Sequence, residues 1–366
     1  MPPVPPLRFD PELTKLLSDA DRAVGRLDGV ATNLPNPDLF VSMYVRHEAV
    51  LSSQIEGTQS TLEDILEYEV AGQRSAQPQD VEEVFNYVRA MNHGLRRLDK
   101  LPLSLRLIRE IHRELLDGVR GADRQPGEFR RSQNWIGSSN SALSEADFVP
   151  PPPDEMRSAL DEFERFLHDR TSLPVLVHCA LAHAQFETIH PFLDGNGRVG
   201  RLLITLLLCE REILQQPLLY LSYYLKAHRS QYYDRLMAIR NDGDWEGWVK
   251  FFLTGVFEVS QGASQTARAI LELREEHRAA IGSKTGSQRA HRLLDFLFRQ
   301  PIVSVRTVEE QLNCSYMTAR KLVDQLQQLE ILNEVTGQRR NRWFRYEPYW
   351  QLFDRQVFPR KPLRSK

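Results

Sequence analysis

A mostly α-helical protein, with one small β-hairpin in a helical core and a winged helix-turn-helix at the C-terminal end, is the fold class that the sequence predicts. Three observations predict it. Apolar residues recur at helical spacing over most of residues 11–276. One stretch, 121–153, is instead rich in Gly, Ser and Pro. Beyond residue 287 the pattern becomes short helices followed by two extended segments around a basic turn.

The elements follow in order. Residues 11–27 have helical spacing, and NLPNP at 33–37 breaks the chain's course. A second helix is expected over 38–56 and is stopped by Gly57, which suits the left-handed position after a helix end. Ser60-Thr61-Leu62-Glu63 has capping-box spacing and opens the next helix. Residues 81–117 are again helical in period. Within 121–153, QNWIG and DFVPP are extended candidates around a polar loop, a hairpin or flap. Helices are expected at 154–169, 174–189 and 198–214. GSKTGS at 282–287 reads as a linker, lacking the GxxxxGK[ST] frame of a phosphate loop. After it come a short amphipathic helix at 289–299, then TVEEQLN and SYMTARKLVDQLQQLE joined by a tight turn around Cys314. ILNEV, the turn TGQRRN and RWFRY complete a winged helix.

Composition narrows the class. The 366 residues allow two or three domains, and 41% hydrophobic and 26% charged residues are ordinary values for a soluble protein. The net charge of −2 argues against a basic surface over the whole protein, yet residues 285–366 carry 15 Lys and Arg against 8 Asp and Glu. Cys179, Cys209 and Cys314 are far apart without CxxC spacing, which suggests a reducing compartment and no zinc site. MPPVPPLRFD holds no apolar signal region, and LLITLLLC at 202–209 is too short to span a bilayer, so a cytoplasmic protein without membrane contact is expected. His178 and His183, five apart, lack the i, i+4 spacing of a zinc helix and read as core residues.

Residues 190–201, HPFLDGNGRVGR, concentrate the chemistry. Gly195-Asn196-Gly197 precede an apolar helix, and glycines let successive N–H groups point into one concavity, an anion-binding nest. The helix start adds free donors and partial positive charge. Arg198 and Arg201 share a face of its first turn, where cations oppose the helix dipole by ~0.3–1 kcal/mol each. An anion of several charges over the helix start, such as a polyphosphate, removes that conflict. Asp194 is a hard oxygen ligand suited to Mg²⁺ beside phosphates, and His190 can take a proton from a hydroxyl near neutral pH. Taken singly, the glycines make a tight turn, the arginines are solvated and the histidine caps a helix; within twelve residues they point to one site.

This stretch resembles, at every defined position, the HPFx[DE]GNGRxxR motif of the Fic family of nucleotidyltransferases. The resemblance covers about residues 40–260 and implies a Fic-fold helical core. It implies transfer of AMP from ATP, with Mg²⁺, to a Ser, Thr or Tyr hydroxyl of a target protein. In that reading His190 is the base and Asp194 holds the metal. Gly195, Asn196 and Gly197 cradle the phosphates, Arg198 meets the β-phosphate and Arg201 the γ-phosphate, with Val199 and Gly200 completing the nucleotide-binding turn. Ile136 and Gly137 are candidates for a flap that pins the target strand. Tyr224, Tyr232, Tyr233 and Asn241 are candidates for the adenine side, although tyrosines at helical spacing also serve as core.

SSQIEG at 52–57 raises a second question, because Glu56 puts a negative charge at the negative end of a helix. An unpaired acid there faces solvent unless a cation from elsewhere meets it, and Arg201 is a surplus cation. The stretch resembles the [ST]xxxE[GN] inhibitory motif of Fic proteins, with Ser52 first, Glu56 as the acid and Gly57 after it. The resemblance implies that Glu56 bonds Arg201 and blocks productive ATP binding.

The expected organisation is an N-terminal helical region over 1–105 carrying the inhibitory motif, a catalytic core over 106–280, the winged helix over 285–350 and a basic tail over 351–366. The winged helix, with QRRNRWFR in its wing, could grip DNA or serve as a partner platform. Self-modification and a homodimer are further expectations from the family. The alternatives within the fold are removal of AMP or transfer of another nucleotide or phosphate; outside it, a transcription regulator that senses nucleotide.

Overall fold

The computed structural model describes residues 6–32, 38–71, 78–137, 143–284, 286–338 and 340–354. In chain order its helices are α1 (Pro11–Thr32), α2 (Asp38–Ile55), α3 (Leu62–Ala71), α4 (Pro78–Leu98), α5 (Leu105–Leu115), α6 (Pro153–His168), α7 (Val175–Ile189) and α8 (Asn196–Glu210). There follow α9 (Ser222–Ala227), α10 (Arg229–Asp242) and the 40-residue α11 (Trp245–Lys284). The last part runs α12 (Gln288–Leu297), β1 (Ile302–Ser304), α13 (Val305–Leu312), α14 (Tyr316–Gln328), β2 (Leu332–Glu334), β3 (Trp343–Tyr346) and α15 (Glu347–Asp354).

Local chemistry sets most of these boundaries. Asp10 caps α1 by accepting from Leu13 N–H at 2.7 Å. The capping box expected at Ser60 and Glu63 forms one residue later: Thr61 N–H donates to the Asp64 carboxylate at 2.7 Å, and Asp64 N–H to the Thr61 hydroxyl at 3.2 Å. Ser60 is buried instead. The single helical stretch expected over 81–117 is two helices, because Pro102 cannot continue α4 and Ser104 then caps α5. α6 opens with Pro153 at its first turn, and α7 starts directly after Pro174. Helix α11 runs through Lys284, so the first half of the segment read as a linker, residues 282–284, is helical.

Helix α7 is buried on every side, and α8 nearly so, which makes this pair the centre of the molecule. α1 lies along α11, and α4 packs on both α5 and α8. One continuous apolar core includes Leu27 of α1, Tyr87 of α4, Phe186 of α7, Leu206 of α8 and Trp248 of α11.

The C-terminal part contains the three helices and the hairpin that its sequence pattern suggests. A third strand, β1, completes an antiparallel sheet of order β1-β3-β2, with Ile302 opposite Arg345 and Leu332 opposite Tyr346. A capping box joins β1 to α13, with Ser304 accepting from Thr307 N–H at 3.0 Å. Helix α15 lies partly in the stretch read as tail. This part packs on α2, the helix that leads to Glu56. Phe353 of α15 meets the Tyr44 ring edge-on at 5.4 Å and lies 6.3 Å from the His47 ring. The Arg345 guanidinium pairs with Glu63 at 2.7 Å, and Tyr346 shares a 2.7 Å hydrogen bond with His277 of α11. All three cysteines are free thiols. Among the described residues no helix is long and apolar enough to cross a membrane.

Candidate functional site

The site begins where α7 ends. His190 takes the left-handed conformation, φ 49° and ψ 60°, which is strained for a side-chain-bearing residue. Arg130 holds it there. Its buried guanidinium donates to the carbonyls of His190 at 3.0 Å, Ser132 at 3.3 Å and Ile189 at 3.4 Å, and also to that of Pro151. Burial depresses the His190 imidazole to about 4, with Arg240 and Arg130 pushing the same way against Glu56. The ring is therefore neutral at physiological pH, the form that accepts a proton.

The loop that follows is closed by its own asparagine. Asn196 accepts from Phe192 N–H and donates to Phe192 O, both at 2.8 Å, so its buried amide shapes the turn. His112 stacks on the Phe192 ring with centroids 3.7 Å apart. Its Nδ1 accepts from Gly127 N–H at 2.8 Å, which leaves Nε2 to donate to Asp194 O at 3.0 Å. Gly195, at φ 76°, starts α8 from the left-handed region.

The first two turns of α8 then present their two arginines to acids from the N-terminal region. Arg201 donates from Nε to Ser52 Oγ at 2.8 Å, and from Nη2 to Ser52 O at 3.0 Å and Glu56 Oε1 at 2.8 Å. Its side chain is 1% exposed and that of Glu56 25%. A Cβ built on Gly197 would stand 2.1 Å from Glu56 Oε1, so the acid lies directly over the helix start. Burial alone would raise the Glu56 carboxyl; the charges of Arg201 and Arg198 outweigh it and hold it below the usual carboxylate range. The stability this pair contributes is therefore present above the unfolded glutamate value and is lost as pH falls through the lower folded one.

Arg198 is placed differently. Its Nη1 is 3.4 Å from Glu83 of α4, its Nη2 3.5 Å from Asp194, and its Nε has no partner among the described residues. Asp194 is 34% exposed, with Oδ1 accepting from Gly195 N–H at 2.6 Å. Mg²⁺ is commonly held by one or two carboxylates with water and phosphate oxygens. A partly open carboxylate at the mouth of an anion nest fits that requirement. Among the described residues no cluster of three or more metal-ligating side chains occurs, at this site or away from it.

The remaining expected residues differ in depth, with Tyr232 and Tyr233 near enough to Arg201 to act on its charge. Ile136 pairs with Phe148 across one antiparallel bridge, by hydrogen bonds of 2.8 and 3.1 Å, and Gly137 follows it at the exposed edge. The polar loop at 138–142 lies outside the described residues. Tyr224 is buried against Phe251 and over Gly255, where an added Cβ would meet its ring at 2.5 Å. The Tyr232 hydroxyl is bonded at 2.9 Å to His183, whose other nitrogen bonds Gly200 O at 2.9 Å, so the histidine is a satisfied core residue. Tyr233 is 38% exposed with Arg229 over its ring, and Asn241 is exposed at the end of α10. Val199 is wholly buried.

Several residues of the site had no sequence signal. Arg130, Glu83, Arg240 and Glu187 sit among ordinary helical or loop residues and converge only through packing. Arg240 stands 3.7 Å over the Phe148 ring and donates to Glu187 O at 3.0 Å, joining α10 to the hairpin and to the end of α7. The Glu187 carboxyl is buried, with Oε1 lacking a hydrogen bond among the described residues, and burial pushes it up to about 7. It has room because position 200 is glycine: a Cβ there would be 2.3 Å from Oε1. Glu48, two turns before Glu56 on α2, is buried against Ser222 and Tyr87 and is likewise raised by burial to about 7.

A strained histidine at the mouth of a glycine-lined anion nest, two buried arginines and a carboxylate over the nest define a Fic-type site on a Fic-type helical scaffold. The sequence matches the Fic/DOC family N-terminal profile over residues 14–96 and the Fic/DOC family profile over residues 102–208, together just over half its length. The chain belongs to the Fic/DOC family. It is 35% identical over 159 residues to a protein named Protein adenylyltransferase Fic from Drosophila grimshawi, a match spanning 42% of this chain and 29% of that relative. The fold is similar to a Fic family protein from Desulfovibrio desulfuricans, with a TM-score of 0.59 and 20% identity over 93% of this chain and 97% of the other. It is also similar to a Fic domain containing signaling protein from Bacteroides thetaiotaomicron, with a TM-score of 0.53 and 19% identity over 70% and 97%.

Proposed function

We propose that the chain is a protein adenylyltransferase, a cytoplasmic enzyme that moves AMP from ATP to a Ser, Thr or Tyr hydroxyl of a protein, its own hydroxyls included, and that Glu56 restrains it. The carrying observation is the 2.8 Å bond from Arg201 to Glu56 directly over Gly197. A carboxylate already occupies the place where a terminal phosphate would complement that arginine.

The chemistry follows from the side chains. The target hydroxyl oxygen forms a bond to the α-phosphorus, the bond from that phosphorus to the leaving oxygen breaks, and pyrophosphate departs. The hydroxyl proton passes to the neutral imidazole of His190, which Arg130 holds at the pocket mouth. The N–H groups at Gly195–Gly197 and the charge of Arg198 stabilise the phosphates, while hydrogen bonds along the Ile136 edge would align a target strand. Asp194 would hold Mg²⁺, which when bound neutralises phosphate charge.

Incubation of the wild type and Glu56→Gly with labelled ATP, read by mass spectrometry, tests this. One added AMP on a hydroxyl side chain, increased in Glu56→Gly and absent in His190→Ala, is expected. A Glu56→Gly protein that binds ATP and transfers nothing sinks the proposal.

A second role at the C-terminal part is favoured by one observation. Tyr316 and Met317 are 51% and 75% exposed at the start of α14, and the turn between β2 and β3 carries Arg340 and Arg342. These groups suit DNA, and binding that weakens steeply with salt checks it.

A further inference from the structure

Arg198 is the second buried cation of the phosphate pocket, and Glu83 faces it. Both side chains are almost wholly enclosed, 1% and 2% exposed. Yet their closest approach is 3.4 Å, well beyond the 2.7–2.9 Å of a good charge-assisted bond. Asp194 is no nearer, and the Arg198 Nε is unsatisfied among the described residues. A buried ion pair with such geometry contributes little to folding. Arg201, three residues on, makes three close bonds of 2.8–3.0 Å. The Arg198 fork is therefore under-occupied and suits a partner richer in oxygens.

Glu83 has somewhere else to turn. Its Oε1 is 3.2 Å from Nε of Arg120, a side chain 56% exposed on the loop after α5. Its Oε2 accepts from the Thr58 hydroxyl at 3.4 Å, and Thr58 is only two residues beyond Glu56. The next residue after Arg120, Gly121, touches Asp194: a Cβ there would lie 2.7 Å from Oδ2. Glu83 thus bridges an inner arginine at the phosphate site and an outer arginine at its rim. If phosphate takes Arg198, Glu83 keeps Arg120 and is not left as an uncompensated buried charge.

We propose that Glu83 is a second inhibitory carboxylate, the holding counter-ion of Arg198, and that Arg120 sets how readily it yields that arginine to the phosphates of a nucleotide. This rests on the nucleotide-transfer reading of the site and deepens it. Each arginine of the helix start has its own acid from the N-terminal region, and removing Glu56 alone leaves half of the restraint in place.

The test is the affinity of the full chain for a non-hydrolysable ATP analogue by calorimetry, in the Glu56→Gly background. Glu83→Gln keeps the shape and the acceptor for Thr58 but removes the charge; it is expected to tighten binding five- to tenfold. Arg120→Gln removes the outer cation and leaves Glu83 fully on Arg198; it is expected to weaken binding several-fold. Should Glu83→Gln fail to fold, the Arg120 variant carries the test. Weaker or unchanged binding in Glu83→Gln overturns the proposal, because Glu83 then only orients Arg198 or acts elsewhere; unchanged or tighter binding in Arg120→Gln overturns it too. Binding is read apart from transfer: a Glu56→Gly protein that binds the analogue without modifying any hydroxyl defeats the transferase reading alone, and one that binds no nucleotide defeats both.

Discussion

Glu56 Oε1 occupies the space next to Gly197 so closely that a single methyl group on that glycine would stand 2.1 Å away. Gly197 lies inside the first turn of α8, and its missing side chain leaves a berth that the Glu56 oxygen fills.

Gly197→Ala is accordingly expected to behave unlike Glu56→Gly. The methyl group expels the carboxylate and also blocks the phosphate that would replace it. Stability falls by about 1–3 kcal/mol, the usual range for overpacking. No AMP incorporation appears, and none is restored when Glu56→Gly is added; thermal melts and labelled-ATP assays of the single and double variants check this.

Ser52→Ala is expected to loosen the brake less than loss of Glu56. Arg201 loses one hydroxyl acceptor at 2.8 Å but keeps the Ser52 carbonyl and the Glu56 carboxylate. A hydrogen bond to a charged group contributes about 1.5–3 kcal/mol, part of which a water molecule recovers. A severalfold rise in self-modification is the expected result, well below that of Glu56→Gly in the same assay.

Arg130→Lys is expected to impair both folding and transfer. One ammonium cannot serve the four carbonyls that the guanidinium collects around His190. The loss is on the order of 2–4 kcal/mol in denaturant unfolding. In the Glu56→Gly background kcat falls more than KM for ATP rises, because the displaced group is the base and not a phosphate contact.

Glu187 gives a pH prediction with a definite sign. Its folded value near 7 lies above the ordinary glutamate value, so the folded state holds a proton that the unfolded state has released. Stability then declines as pH rises from about 4.5 to 7 and levels off above. Glu187→Gln removes that decline, and its advantage over the wild type should grow between pH 5 and pH 8 by roughly 1–3 kcal/mol. An advantage that is flat across this range contradicts the assignment.

Much of the fold was legible because helix starts are written locally. Helices expected from 154 and 174 begin at Pro153 and directly after Pro174, whereas the break at Pro102 and the cap at Ser104 went unread inside the stretch 81–117. The capping box was displaced by one residue because Thr61 and Asp64 satisfy the same geometry as Ser60 and Glu63. The misfit of each charge with its own helix end marked Glu56 and Arg201 as candidates, and the resemblance to the inhibitory motif is what paired them. Glu83 was not, since it is one acid among many on an amphipathic helix, and only the packing of α4 on α8 brings it to Arg198. Among the tyrosines, spacing could not separate the interior pair, Tyr224 and Tyr232, from the more open Tyr233.

The ring of Phe353 rests on Tyr44 and His47, in the middle of the helix whose far end delivers Glu56. The last described helix is therefore a buttress of the N-terminal third of the chain and not a detachable appendage. A version trimmed after α11 to isolate the catalytic region would lose that support. If Glu56 restrains transfer as proposed, a rate measured on the trimmed chain would be expected to exceed that of the full one.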